Sequence, residues 1–239
     1  SETIGDVLAH YASDDAAILE VGCGTGLLTL QLVQHFPHAA ITAVDVSPKM
    51  IEQAKHRHTS PSPDIAWHVA DISNTQFEQK YDLVCSSSAL HWMQPWQQAF
   101  TSINRALLPG GSLIAAMMIT GTLKELAETR NRIAPGKPFP LQLPSSSDIE
   151  EACRSTRLRV QNKSVEEIYV RHRSARAFLQ ALHRQGVTGR AKSGGALLNR
   201  REIQDLIAEY DKQFPHPDGG VGATFRVLFI RATKGCPDA

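Results

Sequence analysis

The sequence predicts an α/β fold of the doubly wound kind, with a mostly parallel seven-stranded sheet, an antiparallel closing strand and a helical cap insertion. Three observations predict it. Short β-type apolar runs alternate with stretches of helical spacing through the first half, a glycine-rich turn joins the first run to the first helix, and two more β-type runs appear late in the chain. The 239 residues are 42% apolar, enough for a sizeable core, and 1–239 reads as a single domain in which 121–163 and 171–222 are cap and substrate-side insertions.

The elements follow in order. Ala17 to Val21 is a short apolar strand closed by glycines, and Leu27 to Phe36 continues with apolar residues at helical spacing. Ala40 to Val44 is the next strand and ends at Asp45. Ser47 then serves as N-cap and Pro48 as first helical residue for a helix from Lys49 to His58. Ile65 to Ala70 and Tyr81 to Ser86 are further strands, and Ser112 to Ile119 is a fifth after the turn Leu108-Pro109-Gly110-Gly111. Right-handed crossovers place helices on both faces and bring ligands to the carboxyl ends of the strands. The second half is less regular. It reads as helices at Thr122 to Ile133, Asp148 to Cys153, Ser174 to Gln185 and Arg200 to Phe214, with strands at Val165 to Val170 and Thr224 to Ala232. A breaker-rich loop runs from Ala134 to Pro140, and a glycine-rich one from Thr188 to Gly195.

Composition excludes several classes. The longest apolar run, Leu113 to Ile119, is seven residues, against roughly 20 for a membrane span. The start, Ser1-Glu2-Thr3, lacks the basic and apolar regions of a signal peptide. The cysteines at 23, 85, 153 and 236 have no C-x-x-C spacing, so a reduced, cytoplasmic protein is expected, binding neither membrane nor nucleic acid. No metal site is expected, because His35 and His38, or His56 and His58, lack matching ligands beside them. The formal charge of +1 hides an asymmetry: residues 1–120 hold 5 basic and 11 acidic residues, whereas 121–239 hold 20 and 13. From Arg154 to Arg201 there are 12 basic residues against Glu166 and Glu167 alone. Such a run is either a solvated helix face or a docking surface for something acidic.

The strongest local signal is Glu20-Val21-Gly22-Cys23-Gly24-Thr25-Gly26, between a strand and a helix. Glycines there allow positive φ and close approach of a ligand to the backbone, and the helix start offers free N–H groups. The spacing G-x-G-x-G differs from the dinucleotide fingerprint G-x-G-x-x-G. Asp45, 19 residues after Gly26, can accept hydrogen bonds from both hydroxyls of a ribose. Taken singly, Asp45 and Asp71 also fit helix caps, Cys85 a core position, and Cys23 a small filler in the turn.

Together these residues resemble the class I S-adenosylmethionine-dependent methyltransferases. Glu20 to Gly26 matches the family's glycine motif, and Asp45-Val46-Ser47-Pro48-Lys49-Met50 its acidic loop. Ala70-Asp71-Ile72 matches the adenine-binding step, Tyr81 to Ser86 the fourth strand, and Leu107 to Gly111 the turn into the fifth. The resemblance implies a cofactor site made of Glu20, Gly22, Cys23, Gly24, Asp45, Val46, Met50, Asp71, Ile72 and Ser86. S-adenosylmethionine is the implied cofactor and S-adenosylhomocysteine the product.

Further stretches narrow the resemblance. Ser86 to Trp92, Gly121 to Leu126, Phe178 to Leu182 with Gly186, and Leu197 to Arg201 look like the malonyl-acyl-carrier-protein O-methyltransferases of biotin synthesis. Two departures are visible. That family usually carries a further N-terminal helix, whereas this chain begins just before Ile4 to Tyr11, and Gly222-Ala223-Thr224-Phe225 stands where a tyrosine-containing stretch is usual. The implied acceptor is malonyl-acyl carrier protein or malonyl-CoA, the carrier being strongly acidic. His91 and Trp92, beyond the fourth strand, are candidates for substrate contact or a packed loop. A methyltransferase of free small acids, aconitate-like, and a non-catalytic S-adenosylmethionine-binding protein remain as alternatives.

Overall fold

The computed structural model describes residues 15–58, 65–75, 77, 80–137, 139–184 and 197–235; Ile4 to Tyr11 and the loop Thr188 to Gly195 lie outside them. Seven strands form one sheet in the order β3-β2-β1-β4-β5-β7-β6. They are β1 (Ala17–Val21), β2 (Ala40–Asp45), β3 (Ala66–Val69), β4 (Tyr81–Ser87), β5 (Leu107–Met118), β6 (Leu158–His172) and β7 (Val221–Lys234). The first five pair in parallel, and antiparallel strands complete the sheet. The order reverses at β1, so the carboxyl ends of β1 and β4 flank the switch point where ligands bind in such sheets.

Seven α-helices lie among the described residues: α1 (Leu27–His35), α2 (Pro48–Arg57), α3 (Trp96–Ala106), α4 (Lys124–Ile133), α5 (Ser146–Ser155), α6 (Ala175–Arg184) and α7 (Arg200–Gln213). Leu28 and Leu32 of α1, four residues apart, pack with Ile18, Ile41, Leu83 and Ile114 into one core cluster. Ser47 caps α2, its Oγ accepting from the Met50 N–H at 3.4 Å, with Pro48 at the first helical position. α3 is absent from the sequence reading, yet Ala99, Phe100, Ile103 and Ala106 bury an i, i+1, i+4, i+7 face. The expected turn at Pro109-Gly110-Gly111 lies inside β5 as a bulge: Tyr81 pairs with Leu107 and Leu83 already with Ser112. β6 runs far beyond Val165 to Val170, because the polar residues Arg159, Gln161, Asn162 and Lys163 occupy an exposed strand without an apolar alternation to reveal it.

The chain falls into two compact units. Ser1–Met118, Pro144–Val165 and Leu228–Ala239 form the first, and Ile119–Leu143 with Glu166–Val227 the second. The second has its own core of Leu126, Phe178, Leu182, Leu206 and Tyr210. In it, buried Glu125 accepts from both the N–H and the hydroxyl of Thr224, and the Tyr210 hydroxyl donates to the Gly222 carbonyl at 2.8 Å. Tyr210→Phe removes that hydrogen bond and is expected to lower stability by about 0.5–1.5 kcal/mol in urea denaturation. An unchanged midpoint would show that the bond contributes nothing net.

Candidate functional site

The site is built at the carboxyl ends of β1, β2 and β4. Val44 at the end of β2 accepts from the N–H groups of Gly22 and Cys23 at 2.8 and 2.9 Å, which folds the glycine turn over the strand ends. Gly22 has φ +72°, and a Cβ there would lie 2.1 Å from Ala89 Cβ, so the loop after β4 rests directly on it. Gly24 has φ +54°, and among the described residues nothing beyond its chain neighbours lies within 4 Å of where a Cβ would stand. That open space beside the backbone can receive a ligand. Gly26, at φ +80°, opens α1, whose first N–H groups face the turn.

Asp45 organises this turn. Its Oδ2 accepts from the Gly24 N–H at 2.9 Å and its Oδ1 from the Ser47 N–H at 2.8 Å. An ionised carboxylate offers about four lone-pair sites, so each oxygen retains capacity for one hydroxyl of a diol. Beside it Val46 and Met50 are 61% and 39% exposed, an apolar surface suited to cover a nucleoside. At the end of β3, Asp71 accepts from the Ser73 N–H and the Asn74 side-chain amide, both at 2.9 Å, while Ile72 is buried. The Ser86 hydroxyl donates to the Val21 carbonyl at 2.7 Å and so braces β1 against β4.

Glu20 is buried at the end of β1, and Thr29 Oγ1 of α1 donates to its Oε2 at 2.6 Å. Burial, reinforced by the nearby Asp45 charge, pushes its carboxyl up from the ordinary 4.5 to about 7. A raised folded-state value means that the folded chain binds a proton more tightly than the unfolded one. Glu20 therefore contributes its full stability below the unfolded value, and loses it as pH rises through about 7. The melting temperature of Glu20→Gln is accordingly expected to rise relative to the parent protein between about pH 5 and about pH 8. A gap that stays constant with pH would return Glu20 to ordinary carboxyl behaviour.

Cys23 packs against Ala43 and Ile51, and burial pushes its thiol up to about 12, so it remains protonated filler rather than a nucleophile. Cys85 is fully buried in the core. His91 and Trp92 occupy a single 3-10 turn, Leu90–Trp92, with ring centroids 4.9 Å apart. His91 is 1% exposed, neither ring nitrogen has a hydrogen-bond partner among the described residues, and burial lowers its pKa to about 4, so the ring is neutral. Trp92 is 51% exposed.

Sequence reasoning missed Thr29, which fixes the Glu20 carboxyl, and Ala89, which makes Gly22 indispensable. A threonine inside a helix and an alanine in a loop carry no local signal of either role. Among the described residues, no group of three His, Cys, Asp or Glu side chains could hold a metal ion, and no helix is long and apolar enough to cross a membrane.

Residues 18–111 match a family model described as a methyltransferase domain. A malonyl-acyl-carrier-protein O-methyltransferase from Hahella chejuensis is 34% identical over 213 residues, covering 88% of this chain and 74% of the relative. Among solved structures, the YcgJ protein from Bacillus subtilis superposes with a TM-score of 0.69 at 12% identity, covering 98% of this chain and 99% of that one. Phosphoethanolamine N-methyltransferase 2 from Haemonchus contortus, solved in complex with S-adenosyl-L-methionine, gives a TM-score of 0.59 at 21% identity over 96% of this chain and 51% of its own. These two likenesses speak to the fold.

Proposed function

The chain belongs to the malonyl-acyl-carrier-protein O-methyltransferase family, and from that premise we propose that it methylates the free carboxylate of a malonyl thioester on acyl carrier protein, in biotin precursor synthesis. The observation that carries this reading is the 34% identity to such an enzyme along 88% of the chain. A reaction in the cytoplasm accords with it.

S-adenosylmethionine, when bound, would supply a methyl group on a positively charged sulfur: as an ionised malonyl carboxylate oxygen bonds to that carbon the carbon–sulfur bond would break, S-adenosylhomocysteine would leave with the electron pair, and no proton is left for a general base to remove. The chain's own contribution is binding, alignment and exclusion of water. Asp45, which holds the Gly24 and Ser47 N–H groups, would accept from the ribose hydroxyls. Asp71 and the N–H of Ile72 would hold the adenine ring, and the exposed Val46 and Met50 would cover it. Gly22, Cys23 and Gly24 supply the close backbone approach, and Ser86 keeps the strand ends in register. Support for these roles comes from the spare acceptor capacity of Asp45, the exposed apolar pair beside it, and the open space at Gly24.

Glu20, buried and held by Thr29, would act on this site through the position of the glycine turn that follows it. Trp92, half exposed, would meet the acceptor, with the buried neutral ring of His91 packed against it. Mass spectrometry after incubation with the cofactor tests the whole reading. Malonyl-carrier protein and malonyl-CoA are expected to gain one methyl group, and free malonate and aconitate none. Methylation of free acids alone would overturn the substrate, and cofactor binding without any methylation would overturn the enzymatic reading.

A further inference from the structure

The second unit carries a groove of about 380 Å³ between α6 and α7, lined by Arg176, Leu179, His183 and Arg184 of the first helix and Ile203 and Ile207 of the second. Leu179 and Ile207 also pack on the unit's core, which gives the groove a fixed apolar floor, and Ile203 adds a side chain 41% exposed. Among the described residues no carboxylate lines it. Glu202 and Glu209 of α7 are engaged elsewhere, with Lys137 at 2.7 Å and Arg132 at 3.0 Å.

The structure divides the basic stretch of the sequence into committed and uncommitted charges. Arg154 pairs with Glu151, Lys163 with Glu150, and Arg171 donates to the Asp218 carbonyl. Arg176 and Arg184 are exposed and make no ion pair or hydrogen bond among the described residues. They stand eight residues apart, two turns, or about 12 Å along the helix axis, so both ends of the groove carry a cation. Arg176 also occupies the first turn of α6, which holds no acid, where the helix dipole opposes a positive charge. α7 opens on Arg200 and Arg201 beside its capping acid Glu202, and Arg200 lies three residues before Ile203 on the same face. Two exposed cations, Arg176 held against its helix dipole and Arg184 at the far end, around an apolar floor suit a partner that brings carboxylates.

We propose that this groove docks an acidic amphipathic helix of the carrier protein that presents the malonyl thioester, its apolar face on Leu179, Ile203 and Ile207 and its carboxylates against Arg176 and Arg184. The assignment of partner rests on the functional reading above. The attraction acts on encounter and weakens as salt shortens the Debye length.

The test is the double charge reversal Arg176→Glu with Arg184→Glu, compared with Arg154→Glu, which changes the same charge run outside the groove. Binding of unacylated carrier protein, followed by calorimetry, is expected to weaken about tenfold or more in the double variant, with the gap shrinking at high salt. Arg154→Glu should bind like the parent protein. In turnover, KM for malonyl-carrier protein should rise while malonyl-CoA turnover is unchanged, which also reports an intact fold. Equal losses on both substrates, or equal carrier binding by parent and double variant, would overturn the docking site. Loss of binding to anionic phosphatidylserine vesicles with carrier binding retained would assign the groove to a membrane surface instead, and overturn it as well. Should the parent protein bind carrier through this groove yet methylate neither thioester, docking stands and the functional reading falls.

Discussion

Gly22→Ala is expected to lose about 2–5 kcal/mol of stability and, with it, measurable cofactor binding. The left-handed backbone at φ +72° costs an alanine about 1–2 kcal/mol. Its Cβ would stand 2.1 Å from Ala89 Cβ, so the loop between β4 and the His91 turn must move, an overpacking penalty of about 1–3 kcal/mol more. Gly24→Ala separates structure from binding at the same turn. With φ +54° and no neighbour within 4 Å among the described residues, it carries the backbone cost of about 1–2 kcal/mol. If the cofactor fills that space, affinity falls far more than stability does. Urea denaturation and calorimetry on both variants decide the matter. A Gly24→Ala protein that binds S-adenosylmethionine like its parent would place the cofactor away from this turn.

The contrast between these glycines marks where sequence reading ends. That Glu20 to Gly26 forms a turn between strand and helix was legible, because apolar runs of two different periods flank it and glycines have few other uses there. Ser47 and Pro48 likewise announced the start of α2 through capping chemistry, which is local. The cause of Gly22 is not local: it is Ala89, 67 residues away in sequence and beside it in space. Thr29 is equally silent, a helical threonine until β1 brings Glu20 beside it. The long β6 escaped because its face is polar, whereas α3 was readable both from its own spacing and from Pro95 immediately before it. The charge run from Arg154 to Arg201 shows the same limit in another form. Sequence counts its charges, and only the fold tells that Arg154 and Lys163 are spent on Glu151 and Glu150 while Arg176 and Arg184 make no ion pair among the described residues.

Asp45→Ala is expected to weaken S-adenosylmethionine binding by roughly 1–3 kcal/mol, or about 5- to 150-fold, because two ribose hydroxyls lose a charged acceptor. The same change also frees the Gly24 and Ser47 N–H groups, so a purely structural role for Asp45 would lower stability as well. Asp45→Asn discriminates between the two. An amide keeps one oxygen, which can hold one of the two backbone N–H groups, but its NH2 turns a donor toward the other. Stability should therefore be partly retained in the asparagine variant. Affinity should fall almost as far as in the alanine variant, because neither the charge nor the second acceptor survives. Calorimetric titration of both variants against the parent, alongside their urea midpoints, measures the pair of effects. Affinities that follow stability in proportion, with asparagine rescuing both, would reduce Asp45 to a brace for the glycine turn and remove it from the cofactor site.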